Sequence, residues 1–196
     1  HQYAPFFSEL WHKIRNGESL TYSWNIGMGT NFTSLFAYYL ASPSNWFVAL
    51  FPQKYTIEIM NAFIILKIAG SSLSLTYYLT KHNNNKHVIA AIFGMFYGMS
   101  GFIAAYSWNI MWLDCVILIP LIMLGLERLV NENRCIFYCI TLGLCIFTNY
   151  YIAIMVCLSV VIYYVVLMIA YNGIKSPMQY VKKFINFCVY SLLAGG

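Results

Sequence analysis

An all-α, polytopic transmembrane helix bundle is predicted by three features of the 196-residue chain: its composition, a series of apolar runs, and a one-sided distribution of basic residues. Hydrophobic residues make up 61% and charged residues 9%, against the roughly 25% with which a soluble domain coats itself. So few charges cannot cover a globule of this size, and the chain belongs in a bilayer. It lacks an initiating Met and stops within the apolar run Ser191-Leu-Leu-Ala-Gly-Gly196, which reads as a piece of a longer polypeptide. Nothing at its start resembles a signal peptide.

Residues 1–55 contain no run near the roughly 20 apolar residues needed to cross the hydrocarbon core. They are expected to form a first loop of short interfacial helices. Phe6 or Phe7, Leu10, Trp11 and Ile14 recur at helical intervals, with Glu9, His12, Lys13 and Arg15 opposite, and Gly17 closes the pattern. Such an amphipathic helix is expected to lie flat at the headgroup level. The stretch Tyr22-Ser-Trp-Asn-Ile-Gly-Met-Gly-Thr-Asn-Phe32 concentrates aromatics, amides and glycines, the glycines serving a tight turn. Two further short helical candidates follow, Thr33 to Ser42 stopped by Pro43 and Asn45 to Phe51 stopped by Pro52.

Membrane-spanning runs are expected at 56–80, 88–106, 115–130, 135–148 and 152–170, with a truncated one at 184–196. Gly94-x-x-x-Gly98 is the small-residue spacing that allows close helix approach. Cys115, Cys135, Cys139, Cys145 and Cys157 lie in apolar segments and Cys188 starts another; without the paired spacing of a zinc site, they read as small packing residues. The loops at 81–87, 127–134 and 171–183 hold Lys81, Lys86, Arg128, Arg134, Lys175, Lys182 and Lys183, whereas the turns at 107–114 and 148–151 hold no Lys or Arg. The positive-inside rule makes the first set cytoplasmic. Residues 1–55, the 107–114 turn and Asn149 to Tyr151 are then gathered on the extracytoplasmic side. The net charge of +5 comes from basic residues scattered between apolar blocks, not from a phosphate-binding stripe, so no nucleic-acid partner is expected.

Two charges stand where charge is costly. Asp114 enters a span beside Trp112, and Lys67 lies near the middle of the first run, about 18 Å from either end at 1.5 Å per residue. Each needs a partner or a task. Asp114 is the first candidate for a catalytic or metal-binding acid, with helix capping as the structural alternative. Lys67 calls for a carboxylate, a carbonyl or a water-filled cavity, and a lipid phosphate or pyrophosphate would suit it as a partner. No Ser-His-Asp set, HExxH or Walker loop is present, which argues against hydrolase and ATPase chemistry.

Taken together, Gln2-Tyr with Pro5-Phe-Phe7, Tyr22-Ser-Trp-Asn with Gly27-x-Gly29-x-Asn31, Tyr38-Tyr-Leu-Ala-Ser-Pro43, Leu50-Phe-Pro52, Ser100-Gly-Phe102, Trp112-Leu-Asp114, Pro120 with Gly125-Leu-Glu-Arg-Leu129, and Asn149-Tyr-Tyr151 resemble the bacterial YfhO-like membrane proteins. These belong with the GT-C type glycosyltransferases. The resemblance implies a GT-C-like bundle that transfers a sugar from a polyprenyl-phosphate carrier to an extracytoplasmic cell-wall polymer or lipid acceptor, such as a teichoic acid. Asp114 then fits the acidic residue of the second outer loop, and the family's first acidic residue, the general base that the resemblance implies, would fall just upstream of Gln2. The substrate-binding set is expected to draw on Gln2, Tyr3, Trp24, Asn25, Asn31, Lys67, Trp108, Trp112, Asn149, Tyr150 and Tyr151, with aromatics stacking on sugar or isoprenoid. No cofactor is specified, and a divalent cation at Asp114 is one way to absorb the leaving phosphate's charge. A transporter or flippase of a lipid-linked precursor, and a non-catalytic scaffold in envelope assembly, are the competing classes; membrane lipids are partners under all three.

Overall fold

In the computed structural model, which describes residues 3–83, 87–170 and 177–195, the apolar runs fold as helices that pack around one central member. The elements are α1 (Tyr3–Asn16), β1 (Tyr22–Ser23), β2 (Thr30–Asn31), α2 (Phe32–Leu35) continued by a π-turn (Phe36–Leu40), 3₁₀ segments Pro43–Leu50 and Gln53–Tyr55, then α3 (Thr56–His82), α4 (His87–Gly98), α5 (Gly101–Tyr106), α6 (Ile110–Glu132), α7 (Ile136–Thr148), α8 (Tyr150–Ala170) and α9 (Pro177–Gly195). Gln2, Lys86 and Lys175 lie outside the described residues. Four helical stretches are long and apolar enough to cross a membrane: Gln53–His82, His87–Tyr106, Ile110–Glu132 and Tyr150–Ala170. The protein is a multi-pass membrane protein.

Several boundaries differ from the expected spans for identifiable reasons. The second run breaks between α4 and α5, where Ser100 takes extended backbone at φ −64°, ψ 152°. The third begins at Ile110 rather than Cys115, which puts Asp114 inside the helix. Helix α7 has 13 residues, about 20 Å at 1.5 Å per residue, short of a hydrocarbon core about 30 Å thick. The last helix starts at Pro177, where proline is tolerated because a first-turn N–H has no intrahelical partner.

Helix α6 is the hub, packed against α3, α7 and α8. It carries Pro120 in its interior, and proline removes the N–H that would bond the carbonyl four residues back. That carbonyl belongs to Val116, and the Tyr97 hydroxyl donates to it at 2.8 Å. Small residues set the other contacts. Gly94 and Gly98 of α4 face Ser72 and Thr76 of α3, and Gly125 of α6 faces the backbone of Tyr138 at the start of α7. The interior of α6 to α9 is filled by Ile122, Leu126, Tyr138, Leu142, Val160, Tyr164 and Phe187, with the rings of Tyr164 and Phe187 stacked at 4.2 Å.

Residues 3–55 make a second core at one end of the bundle. Phe7, Leu10, Phe32, Leu40 and Val48 are fully buried and pack with Ile59 of α3 and Ile110 of α6. At about 1.5–3 kcal/mol for each large apolar side chain, this is a folded unit rather than a string of independent helices. Helix α1 departs from the expected pattern on its polar face. Glu9 and Lys13 are 7% and 3% exposed, because the stretch from Tyr22 to Asn31 folds back on them as a hairpin. Its strands pair Tyr22 with Asn31 and Ser23 with Thr30. The turn takes positive φ at Gly27, Met28 and Gly29 (56°, 62° and 107°), a region that costs glycine nothing.

The hairpin is held by ionic and polar contacts to α1. Lys13 Nζ donates to the carbonyls of Ser19 and Tyr22, each at 2.9 Å. Glu9 accepts from Ser23 Oγ at 2.6 Å and from Asn25 Nδ2 at 3.1 Å, and the two charges stand 3.9 Å apart. Lys13→Met is therefore expected to leave two carbonyls and a buried carboxylate short of partners. Limited proteolysis should show at least tenfold faster cleavage between Gly17 and Phe32, with the transmembrane core still protected.

Candidate functional site

Counted along its own helix, Lys67 is eleven residues past Thr56, about 16 Å in at 1.5 Å per residue. Counted against its neighbours it is not mid-bundle. Its Nζ donates to Asp114 Oδ2 at 2.7 Å, to the Ile110 carbonyl at 3.2 Å and to Ser42 Oγ at 3.3 Å. Ile110 opens α6, so Lys67 stands level with the first turns of that helix. The first three turns of α3 rise beyond it and wall the 3–55 unit, where Ile59, Met60 and Phe63 pack with α1. An ammonium has three N–H donors, and all three find acceptors here.

Asp114 is not a helix cap. The residue before α6 is Asn109, and Asp114 sits more than a turn inside, one of its carboxylate oxygens accepting from Lys67. The pair is enclosed, with side chains 5% and 14% exposed, so each charge depends on the other for solvation. Ser42 completes the set from the segment between Leu40 and Pro43, which passes beside α3 at this depth. Within the same turn of α6, Trp112 packs against Tyr106 and stacks on Tyr151, and its buried Nε1 has no hydrogen-bond partner among the described residues.

The three segments expected on one side do meet at one end of the bundle. Tyr3 Oη donates to Asn109 Oδ1 at 3.0 Å, tying α1 to the turn before α6. Burial, with Tyr39 and Tyr38 beside it, pushes the Tyr3 pKa up. Asn149 is fully buried. Its Oδ1 accepts from the Ile152 N–H at 2.9 Å, capping α8, and its Nδ2 donates to the Tyr38 carbonyl at 3.3 Å. Tyr38 also meets the ring of Tyr150 edge-on. Tyr150 and Tyr151 are themselves 52% and 45% exposed, as open aromatic surface at the rim.

Other expected site residues stand apart from the Lys67–Asp114 pair. Asn31 caps α2 through Thr33 N–H, Asn25 is bound to Glu9, and Trp24 projects from the hairpin at 77% exposure with its edge against Tyr22. Trp108 is exposed and donates to the Ala105 carbonyl at 3.0 Å. Sequence reasoning missed Ser42 and the Ile110 carbonyl as partners of Lys67, and Glu9 with Lys13 as a buried pair. The only local signal was the Ser-Pro at 42–43, which stops a helix without saying beside what.

The family model described as "Bacterial membrane protein YfhO" matches residues 1–196. The chain belongs to the YfhO family. Neither the comparison with curated proteins nor that with solved structures returned a match. Against this YfhO background, a divalent cation at Asp114 fits the residues poorly. Among the described residues no three His, Cys, Asp or Glu side chains come together, and Asp114 Oδ2 already accepts from an ammonium at 2.7 Å.

Proposed function

We propose that this YfhO protein is an integral membrane glycosyltransferase that moves a sugar from a polyprenyl-phosphate carrier to an extracytoplasmic acceptor such as a teichoic acid, with Asp114 and Lys67 at the reacting centre. The observation that carries it is the enclosed Lys67–Asp114 pair at the end of the bundle where the 3–55 unit, the turn before α6 and the turn before α8 converge. A charge pair so enclosed is costly to keep, and a site that must bind a phosphate and activate a hydroxyl needs both signs.

In this proposal Lys67 holds the Asp114 carboxylate in place, and the carboxylate's free edge, rather than the upstream acid that the resemblance implies, accepts the proton of the acceptor hydroxyl. The hydroxyl oxygen attacks the anomeric carbon of the donor, and the bond from that carbon to the carrier's phosphate oxygen breaks. Lys67, the nearest cation, offsets the charge that develops on the leaving phosphate. The exposed rings of Tyr150 and Tyr151 give flat apolar surface for the sugar. An apolar groove of about 360 Å³ also runs between α5, α6 and α8 past Phe102, Val116, Ile119, Met155 and Val156. It suits the isoprenoid chain of the carrier.

The direct test incubates the intact protein, reconstituted in phospholipid, with a radiolabelled polyprenyl-phosphate sugar and a teichoic-acid acceptor. Label should move to the acceptor, and Asp114→Glu should slow transfer at least 100-fold while keeping the ion pair. Unchanged transfer by that variant would remove Asp114 from the reaction, and no transfer by the parent protein with any donor would remove the enzyme reading.

A further inference from the structure

The α3–α6 pair is tied a second time at the opposite end of the bundle. There Glu127 accepts from Tyr78 Oη at 2.8 Å and from Tyr163 Oη, and stands 2.9 Å from His82 Nδ1. Beside this tie a cavity of about 390 Å³ is walled by the ends of α3 and α6 and by α8. Its two carboxylates are already engaged, Glu127 by the tyrosines and His82, and Glu132 by Arg134 at 3.3 Å. Its two permanent cations are not. Among the described residues, the charged ends of Lys81 and Arg128 meet ring faces, those of Tyr77 at 5.9 Å and Phe137 at 5.2 Å, and no carboxylate lies in salt-bridge range of either. The cavity wall also carries the apolar side chains of Leu124 and Leu167.

We propose that this cavity binds the phosphate headgroup of an anionic membrane phospholipid, with Lys81 and Arg128 on the phosphate and the first acyl carbons against Leu124 and Leu167. Three observations converge on that ligand. The unpaired charges are positive, so the ligand is an anion. Lys81 sits on the last turn of α3 and Arg128 one turn before the end of α6, and the same wall carries Leu124 and Leu167, so the anion carries an apolar tail. Basic pockets between transmembrane helices are suited to this chemistry. A soluble phosphate would gain nothing from Leu124 and Leu167, whereas a zwitterionic lipid would bring its own cation toward Lys81 and Arg128. The site lies at the opposite end of the bundle from Asp114 and is independent of the sugar-transfer proposal.

The test is native mass spectrometry of the intact protein in neutral detergent, with phosphatidylglycerol, phosphatidylcholine or inorganic phosphate added. Phosphatidylglycerol adducts should exceed phosphatidylcholine adducts at least tenfold. The variant Lys81→Gln/Arg128→Gln should bring that ratio to within twofold without shifting the melting temperature. Leu167→Trp, which fills the cavity and leaves both cations, should also lower phosphatidylglycerol binding at least fivefold. Equal adducts of the two lipids on the parent protein would overturn the proposal, as would a preference that survives both variants. Displacement of phosphatidylglycerol by millimolar inorganic phosphate would do so too, because it would mark the site as one for a soluble anion.

Discussion

Neutralising one member of the Lys67–Asp114 pair is expected to cost about 3–5 kcal/mol, because the surviving charge stays buried without its partner. Lys67→Met strands a carboxylate that is 14% exposed, and Asp114→Leu strands an ammonium that is 5% exposed. Lys67 retains the Ile110 carbonyl and Ser42 in the second case, so Asp114→Leu should be the milder of the two. The double variant Lys67→Met/Asp114→Leu removes both charges and puts apolar side chains of similar volume in their place, an exchange that is often neutral or better. Thermal melts followed by size-exclusion chromatography should therefore rank the proteins as parent and double variant together, Asp114→Leu below them, and Lys67→Met lowest. A double variant as unstable as the singles would mean that Ser42 and the Ile110 carbonyl, left without their donor, matter more than charge balance.

The second large effect is steric and graded. A methyl group at Gly125 would lie 2.8 Å from Tyr138 Cα and 3.0 Å from its nitrogen. Both are backbone atoms, so α6 and α7 would have to separate. At Gly94 the methyl would meet the Ser72 carbonyl at 2.6 Å, again backbone, whereas at Gly98 the nearest obstacle is the Ser72 side chain, and the Ile68 carbonyl is 3.3 Å away. Gly101 has no neighbouring atom within 4 Å. Overpacking typically costs about 1–3 kcal/mol. The alanine series should lose most stability at Gly125 and Gly94, where backbone blocks the methyl, and less at Gly98, with Gly101→Ala indistinguishable from the parent. Equal tolerance of alanine at Gly125 and Gly101 would contradict the close approach of α6 and α7.

Much of this was legible in the chain, and the rest was hidden for physical reasons. Apolar periodicity and length gave the helical bundle, and the cost of burying charge singled out Asp114 and Lys67. Their pairing could not be seen, because depth was counted along α3 as though every helix began at the same level. Helix α3 starts about 16 Å higher relative to Lys67 than α6 does (eleven residues at 1.5 Å), so a lysine near the middle of its own helix meets the first turns of another. The polar face of α1 misled for a related reason. Glu9 and Lys13 have the spacing of a solvated stripe, yet a hairpin of two-residue strands covers them, and strands that short leave almost no alternating pattern to read. Asn149 was legible as a polar break between apolar runs; that it caps α8 while reaching the Tyr38 carbonyl depends on a contact 111 residues away in sequence.

The decisive measurement separates a pair kept for chemistry from a pair kept for structure. It is the rate of labelled-sugar transfer by reconstituted Lys67→Met/Asp114→Leu, compared with the parent at matched folded concentration. The double variant should melt with the parent and transfer sugar at least 1,000-fold more slowly, about 4 kcal/mol in barrier at roughly 1.4 kcal/mol per tenfold. A double variant that folds and transfers sugar at the parent rate would contradict this and make the pair a bolt between α3 and α6.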